Sequence, residues 1–282
     1  TALISFALGH TQADELVTFL KLQASNYPAP FYHSLMNLLS SHDVERIRSV
    51  LGLGEEIRDL PREEQVQKDA SLSHADDVQG AMLQKLLAVV LYLLPCVPCL
   101  YYGDECGLQG GRDPFDRATF PWDGPREDCG CNLTTFYQDL GSIRHDHGVL
   151  QQGDYAYYAY GNDGVGILRL SDGSPAGPDV IFGMINRSTI AKTFAFDLVN
   201  ETASLSDEAC QLLRSTTEPP QLLFTSSAYP CGEEAEKALT ITEATCVDGI
   251  FCCKLGPQEA RIYQVRSSLT CSLDTGVGII CH

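Results

Sequence analysis

The sequence predicts a parallel α/β unit followed by an all-β unit, and two observations carry that division. Up to about residue 147, short apolar runs of strand length alternate with stretches of helical spacing. From about Val149 the period changes to two, and seven short alternating segments are separated by Gly, Pro, Asn and Asp. Strands of that kind suit an antiparallel sandwich. The expected limits are 1–147, 148–266 and a tail over 267–282.

The first unit is organised around Ser34 to Arg46. Leu35, Met36, Leu38 and Leu39 form an apolar run that stops at Ser40 and Ser41 and hands on to His42 and Asp43. A buried parallel strand delivers polar side chains to a site at its C-terminal end in this way. Val44, Ile47, Val50 and Leu51 then share a helical face, with Gly52 and Gly54 at its end. Earlier in the chain, Thr11 is the expected N-cap of a helix to about Ala24, ended by Asn26, Tyr27 and Pro28. After the central stretch, Gly54 to Ser73 is a polar surface excursion with a short helix from Arg62. A helix from about Asp76 to Leu94 follows, and its later half is apolar nearly all round, which predicts burial. A second strand, Val97 to Gly103, opens into a Gly-rich charged loop from Asp104 to Arg117. Leu133, Phe136, Leu140 and Ile143 then have helical spacing within Asn132 to Arg144.

Two strand–helix units that each end in a polar loop suggest part of a β/α barrel or another parallel-sheet fold. The motifs are more specific. N-L-L-S-S-H-D-V-E-R at Asn37 to Arg46, L-P-C-V-P-C-L-Y-Y-G-D-E-C-G at Leu94 to Gly107 and G-R-D-P-F-D-R-A-T-F-P-W-D at Gly111 to Asp123 resemble the α-amylase family of glycoside hydrolases, above all its neopullulanase and cyclomaltodextrinase branch. The resemblance implies the C-terminal portion of a (β/α)8 TIM barrel followed by an antiparallel β-sandwich domain. It also implies hydrolysis of α-glucosidic bonds in starch-like glucans by three acidic residues, of which Asp43 matches the third.

The family's nucleophilic Asp and its Glu acid/base have no counterpart here, because their motifs are absent. A retaining glycosidase needs both, about 5–5.5 Å apart, to attack the anomeric carbon as the leaving oxygen is protonated. On this reading the chain is a C-terminal fragment, expected to be inactive alone and to have the missing N-terminal part of the same enzyme as its partner. The residue matching Asp43 holds sugar hydroxyls and stabilises an oxocarbenium-like transition state, and the one matching His42 bonds the same ring. In the enzymes the chain resembles, an Asp and an Arg four residues later bind a neighbouring glucose; Asp113 and Arg117 have that spacing, and an Arg fork with a carboxylate suits vicinal hydroxyls. Their other reading is a salt bridge that folds the loop. Ala118 and Thr119 stand where that branch usually has Arg and Pro. The alternative function is a non-catalytic glucan-binding or assembly module.

Nineteen basic against 37 acidic residues give a formal charge of −18, which argues against nucleic acid or an anionic membrane as partner. The longest apolar run stops at Pro95, short of the roughly 18 residues a membrane helix takes. Twelve cysteines include several in apolar strand-like runs, where a free thiol packs as a small hydrophobe. Cys96 and Cys99 have redox spacing but sit on a strand, which turns them to opposite faces. Cys129 and Cys131 lack a second pair at zinc spacing, so no metal or cofactor is expected, and reduced thiols point to the cytoplasm. Strands meant for a closed barrel would expose apolar side chains and unpaired backbone, which predicts self-association or binding to the missing part. Tyr155, Tyr157, Tyr158 and Tyr160 are read as sheet packing rather than a sugar platform, while Trp122 is equally a packing anchor or a sugar platform. Glu201 to Pro230 is read as an irregular insertion.

Overall fold

A computed structural model describes residues 2–122, 133–171, 179–199, 207–215, 218–229, 244–265, 271–274 and 278–281. Helices α1 (Ala2–Ala7), α2 (Ala13–Ser25) and α3 (Ala29–Ser34) lead into strand β1 (Met36–Leu38). Then come α4 (Ile47–Leu53), α5 (Arg62–Ala70), α6 (His74–Leu93), strand β2 (Val97–Cys99), α7 (Leu133–Asp146) and α8 (Val149–Gln152). β1 and β2 pair in parallel, with Met36 opposite Val97 and Leu38 opposite Cys99.

Local chemistry shifts several boundaries from those expected. Gln12, not Thr11, caps α2, because the Glu15 carboxylate reaches back to the Gln12 N–H at 2.7 Å. The helix after His42 starts at Ile47 rather than Val44. The Arg46 amide is drawn to the Gly110 carbonyl at 3.0 Å, and Ser40 Oγ accepts the Ile47 N–H at 2.9 Å. Ser73 caps α6 by accepting from the Asp76 amide, so the helix begins at His74. Helix α3 is an addition to the sequence reading; it starts directly after Pro28, whose fixed φ suits a helix start.

The second unit consists of β3 (Asp154–Tyr160), β4 (Gly164–Ser171), β5 (Asp179–Asn186), β6 (Lys192–Asp197), α9 (Asp207–Arg214), β7 (Gln221–Thr225), β8 (Thr245–Val247), β9 (Ile250–Leu255) and β10 (Glu259–Val265). All seven anticipated strands form. β8 and α9 are additions, and α9 lies in the stretch read as irregular. One antiparallel sheet runs β3-β4-β5-β10-β7 and a second runs β6-β9-β8. The tail contributes β11 (Cys271–Asp274) and β12 (Gly278–Cys281), an antiparallel pair of their own.

The five-stranded sheet is the middle layer of the molecule. Tyr157, Ile167 and Ile181 share a core with α2, α6 and α7, whereas their neighbours Tyr158, Leu168 and Phe182 share one with Phe194, Phe196 and Phe251 of the smaller sheet. Alternation on a pleated strand produces that division, and coverage of both faces explains why β4 and β5 are buried almost throughout. Arg169, fully buried in β4, donates to the carbonyls of Leu93, Leu150 and Gly153 and so ties α6 and α8 to the sheet. The tyrosine stripe is packing, since Tyr157 meets the Tyr32 hydroxyl at 3.0 Å and Tyr158 donates to the Leu198 carbonyl at 2.9 Å.

No helix among the described residues is long and apolar enough to cross a membrane. Cys96, Cys99, Cys210, Cys246, Cys252 and Cys253 are free thiols. Cys129 and Cys131 lie outside the described residues, as do Asp123 and Asn132 at the ends of two segments named above.

Candidate active site

β1 is only three residues long, and the chain leaves its C-terminal end through Leu39 to Asp43. The Asp43 amide donates to Ser41 Oγ at 3.2 Å, a local turn that sets His42 and Asp43 side by side. His42 Nε2 lies 3.4 Å from Asp43 Oδ2, and the two side chains are 65% and 73% exposed. Neither is buried by its own surroundings.

The second polar loop follows β2. Gly103 turns it at φ +88°, in the left-handed region that glycine tolerates best. At Gly110 a side chain would not fit, since a Cβ would come within 2.4 Å of the Phe115 carbonyl oxygen. This close crossing folds the loop back, and Arg117 Nε then meets Asp113 Oδ1 at 2.9 Å. Arg117 also donates from Nε and Nη2 to the His42 carbonyl, at 3.3 and 3.0 Å. His42, Asp43, Asp113 and Arg117 therefore stand together, although the Arg117–His42 contact spans 75 residues of sequence. The salt bridge anticipated as the plainer reading of Asp113 and Arg117 is present.

Beneath these exposed residues is a buried polar layer. Arg46 is fully buried, donates to the carbonyls of Asp116 at 2.8 Å and Tyr102 at 2.7 Å, and lies 3.4 Å from Asp104 Oδ1. Its guanidinium carbon is 4.6 and 4.8 Å from the ring centroids of Tyr101 and Tyr102, within cation–π range. Burial pushes the Asp104 carboxyl up to about 7, against the opposing pull of Ser40 and Arg46. Burial also raises Asp116, whose carboxylate oxygens have no hydrogen-bond partner. Glu45, buried beside Arg46, accepts from Arg112 Nε at 3.2 Å and Gln65 Nε2 at 3.4 Å, fastening the loop to α5.

Sequence reasoning singled out the four exposed residues but passed over Arg46 and Asp104, which lie inside the same motifs. Membership of those motifs is all that the sequence shows of them, and it does not show that both are buried. Trp122 is 75% exposed and touches the Phe120 ring at 4.6 Å, so the described residues do not bury it as a packing anchor. Among the described residues, no group of three or more His, Cys, Asp or Glu could hold a metal ion. An open cavity of about 340 Å³, lined by His33, Tyr92, Cys96, Val97, Arg144 and His145 among others, lies by the N-terminal end of β2, the end opposite the polar loops.

Taken as chemistry, the cluster offers two exposed carboxylates as acceptors, an imidazole and a forked guanidinium donor, a set suited to neutral polyols. The chain is 39% identical over 137 residues to an amylopullulanase of Thermoanaerobacter thermohydrosulfuricus, covering 48% of this chain and 8% of that enzyme. It is 30% identical over 145 residues to a cyclomaltodextrinase of a Bacillus species, covering 51% of this chain and 21% of that one. The chain is related to the α-amylase family of glycoside hydrolases. The α-amylase-family likeness extends to fold: an Anoxybacillus α-amylase structure superposes with a TM-score of 0.62 at 18% identity, over 95% of this chain and 45% of that one. No family model matches the chain. It thus spans about a fifth or less of the two curated α-amylase-family relatives named here.

Proposed function

We propose that the chain is the C-terminal part of a retaining α-glucan hydrolase, with the end of a (β/α)8 barrel over 1–147, an antiparallel β domain over 148–266 and a tail over 267–282. Asp43 is the transition-state-stabilising carboxylate, and His42, Asp113 and Arg117 bind glucose units. The observation that carries this reading is the Arg117 bond to the His42 carbonyl, which joins the C-terminal ends of two adjacent parallel strands into one polar surface. In β/α barrels, catalytic residues come from that end of several strands. The nucleophile and proton donor belong to polypeptide outside these 282 residues, so the chain alone does not cleave.

The two-stranded sheet supports incompleteness. Met36 and Val97 are 62% and 53% exposed, where closed-barrel strands would be covered. Either the remainder of the enzyme or a second copy of the chain covers that surface. The free thiols fit a reducing compartment, which supports a cytoplasmic placement.

Hydrolysis of a chromogenic α-maltooligosaccharide by the chain and by the longer parent, each with Asp43→Asn as control, tests the proposal. Only the parent should cleave, and Asp43→Asn should cost it at least about a hundredfold. Cleavage by the chain alone, lost with Asp43→Asn, would overturn the placement of the other two carboxylates. Absence of cleavage by either would favour a glucan-binding or assembly module.

A further inference from the structure

The four proposed glucan-contacting residues sit on two loops, and one buried residue that follows the first loop in sequence bonds to the second. Arg46 follows Asp43 by three positions in the sequence, so its anchoring fixes where the first loop enters α4. Its amide donates to the Gly110 carbonyl at 3.0 Å, its Nε to the Asp116 carbonyl at 2.8 Å and its Nη1 to the Tyr102 carbonyl at 2.7 Å. Those three carbonyls span the loop that carries Asp113 and Arg117, and Asp116 immediately precedes Arg117. The Asp116 carboxylate itself is buried without a hydrogen-bond partner, so the grip on the loop is through backbone and not through that side chain.

We propose that Arg46 is the positioning residue of the glucan site: its guanidinium fork holds the Asp113–Arg117 loop at a fixed distance from His42 and Asp43 without touching sugar. The role needs arginine. Two nitrogens of a planar fork reach two carbonyls at once, whereas lysine presents a single ammonium. The flanking Tyr101 and Tyr102 faces hold the fork in plane. This inference rests on the glucan reading for its function but not for its geometry, and the experiment separates the two.

Arg46→Lys and Asp116→Asn are compared with the unaltered 282-residue chain by amide hydrogen exchange over 111–117, by the His42 C2–H NMR signal and by the dissociation constant for maltoheptaose. Arg46→Lys should keep the helical circular dichroism, speed exchange over the loop about tenfold or more, shift the His42 signal and weaken maltoheptaose binding by a similar factor. Asp116→Asn should leave loop exchange and the His42 signal within about twofold and unmoved, respectively. Loop exchange unchanged in Arg46→Lys overturns the proposal. So does global unfolding of Arg46→Lys while Asp116→Asn stays folded, because Arg46 would then be a stabiliser of the whole core. If neither the unaltered chain nor the longer parent binds maltoheptaose, the glucan reading fails, while exchange and the His42 signal still decide the positioning role.

Discussion

Replacing Asp104 by Asn should make the chain lose less stability as the pH rises. Asp104 is 3% exposed, and burial raises its carboxyl from 3.8 to about 7 in the folded chain. The unfolded chain keeps the ordinary value, so between about pH 4 and pH 7 the folded state binds the extra proton. Stability is therefore fullest below the unfolded value and falls as the pH rises towards the folded one. A shift of roughly three units corresponds to about 4 kcal/mol at 1.36 kcal/mol per unit, and relaxation around the charged form lowers that ceiling. Urea unfolding at pH 5, 6, 7 and 8 measures the effect. The original chain should lose roughly 2 kcal/mol or more relative to Asp104→Asn across that range, because the amide cannot titrate. A difference between the two proteins that stays constant within about 0.5 kcal/mol from pH 5 to pH 8 would refute the assignment of a buried, neutralised Asp104 beside Arg46.

Two further outcomes follow from burial and pairing elsewhere. Leu87→Ala removes a fully buried side chain from α6, where the helical core meets the middle sheet, and should cost about 3 kcal/mol, read as a lower urea midpoint with an unchanged slope. Glu259 accepts from Arg261 at 2.8 and 3.0 Å and from the Gly256 amide at 2.6 Å; burial opposes its charge, but these bonds prevail and hold it below the usual carboxylate range. Glu259→Gln should cost roughly 3 kcal/mol at pH 7 by removing the charge that faces the buried Arg261 guanidinium, and the deficit should narrow only as the pH falls below about 4.5, where the native carboxylate's advantage is lost.

What the sequence made legible was governed by side-chain pattern, and what it hid was governed by backbone. The strands of the β unit were readable because Tyr157 and Tyr158, Ile167 and Leu168, and Ile181 and Phe182 alternate between two apolar environments. Helix α6 was readable because its later half is apolar on every side, and the structure buries Leu86 to Leu91 between helices and sheet. The cap of α2 and the late start of α4 were misplaced because each is decided by an amide finding an acceptor, Glu15 in one case and Gly110 in the other. The same distinction separates the two layers of the candidate site. His42, Asp43, Asp113 and Arg117 advertise their chemistry by residue type and spacing. Arg46 does not, because its acceptors are carbonyls 56 and 70 residues further along the chain, and a carbonyl is the same whatever side chain accompanies it. A motif can therefore name the groups that face a ligand, while the residue that sets their spacing becomes visible only when the backbone it holds has been traced.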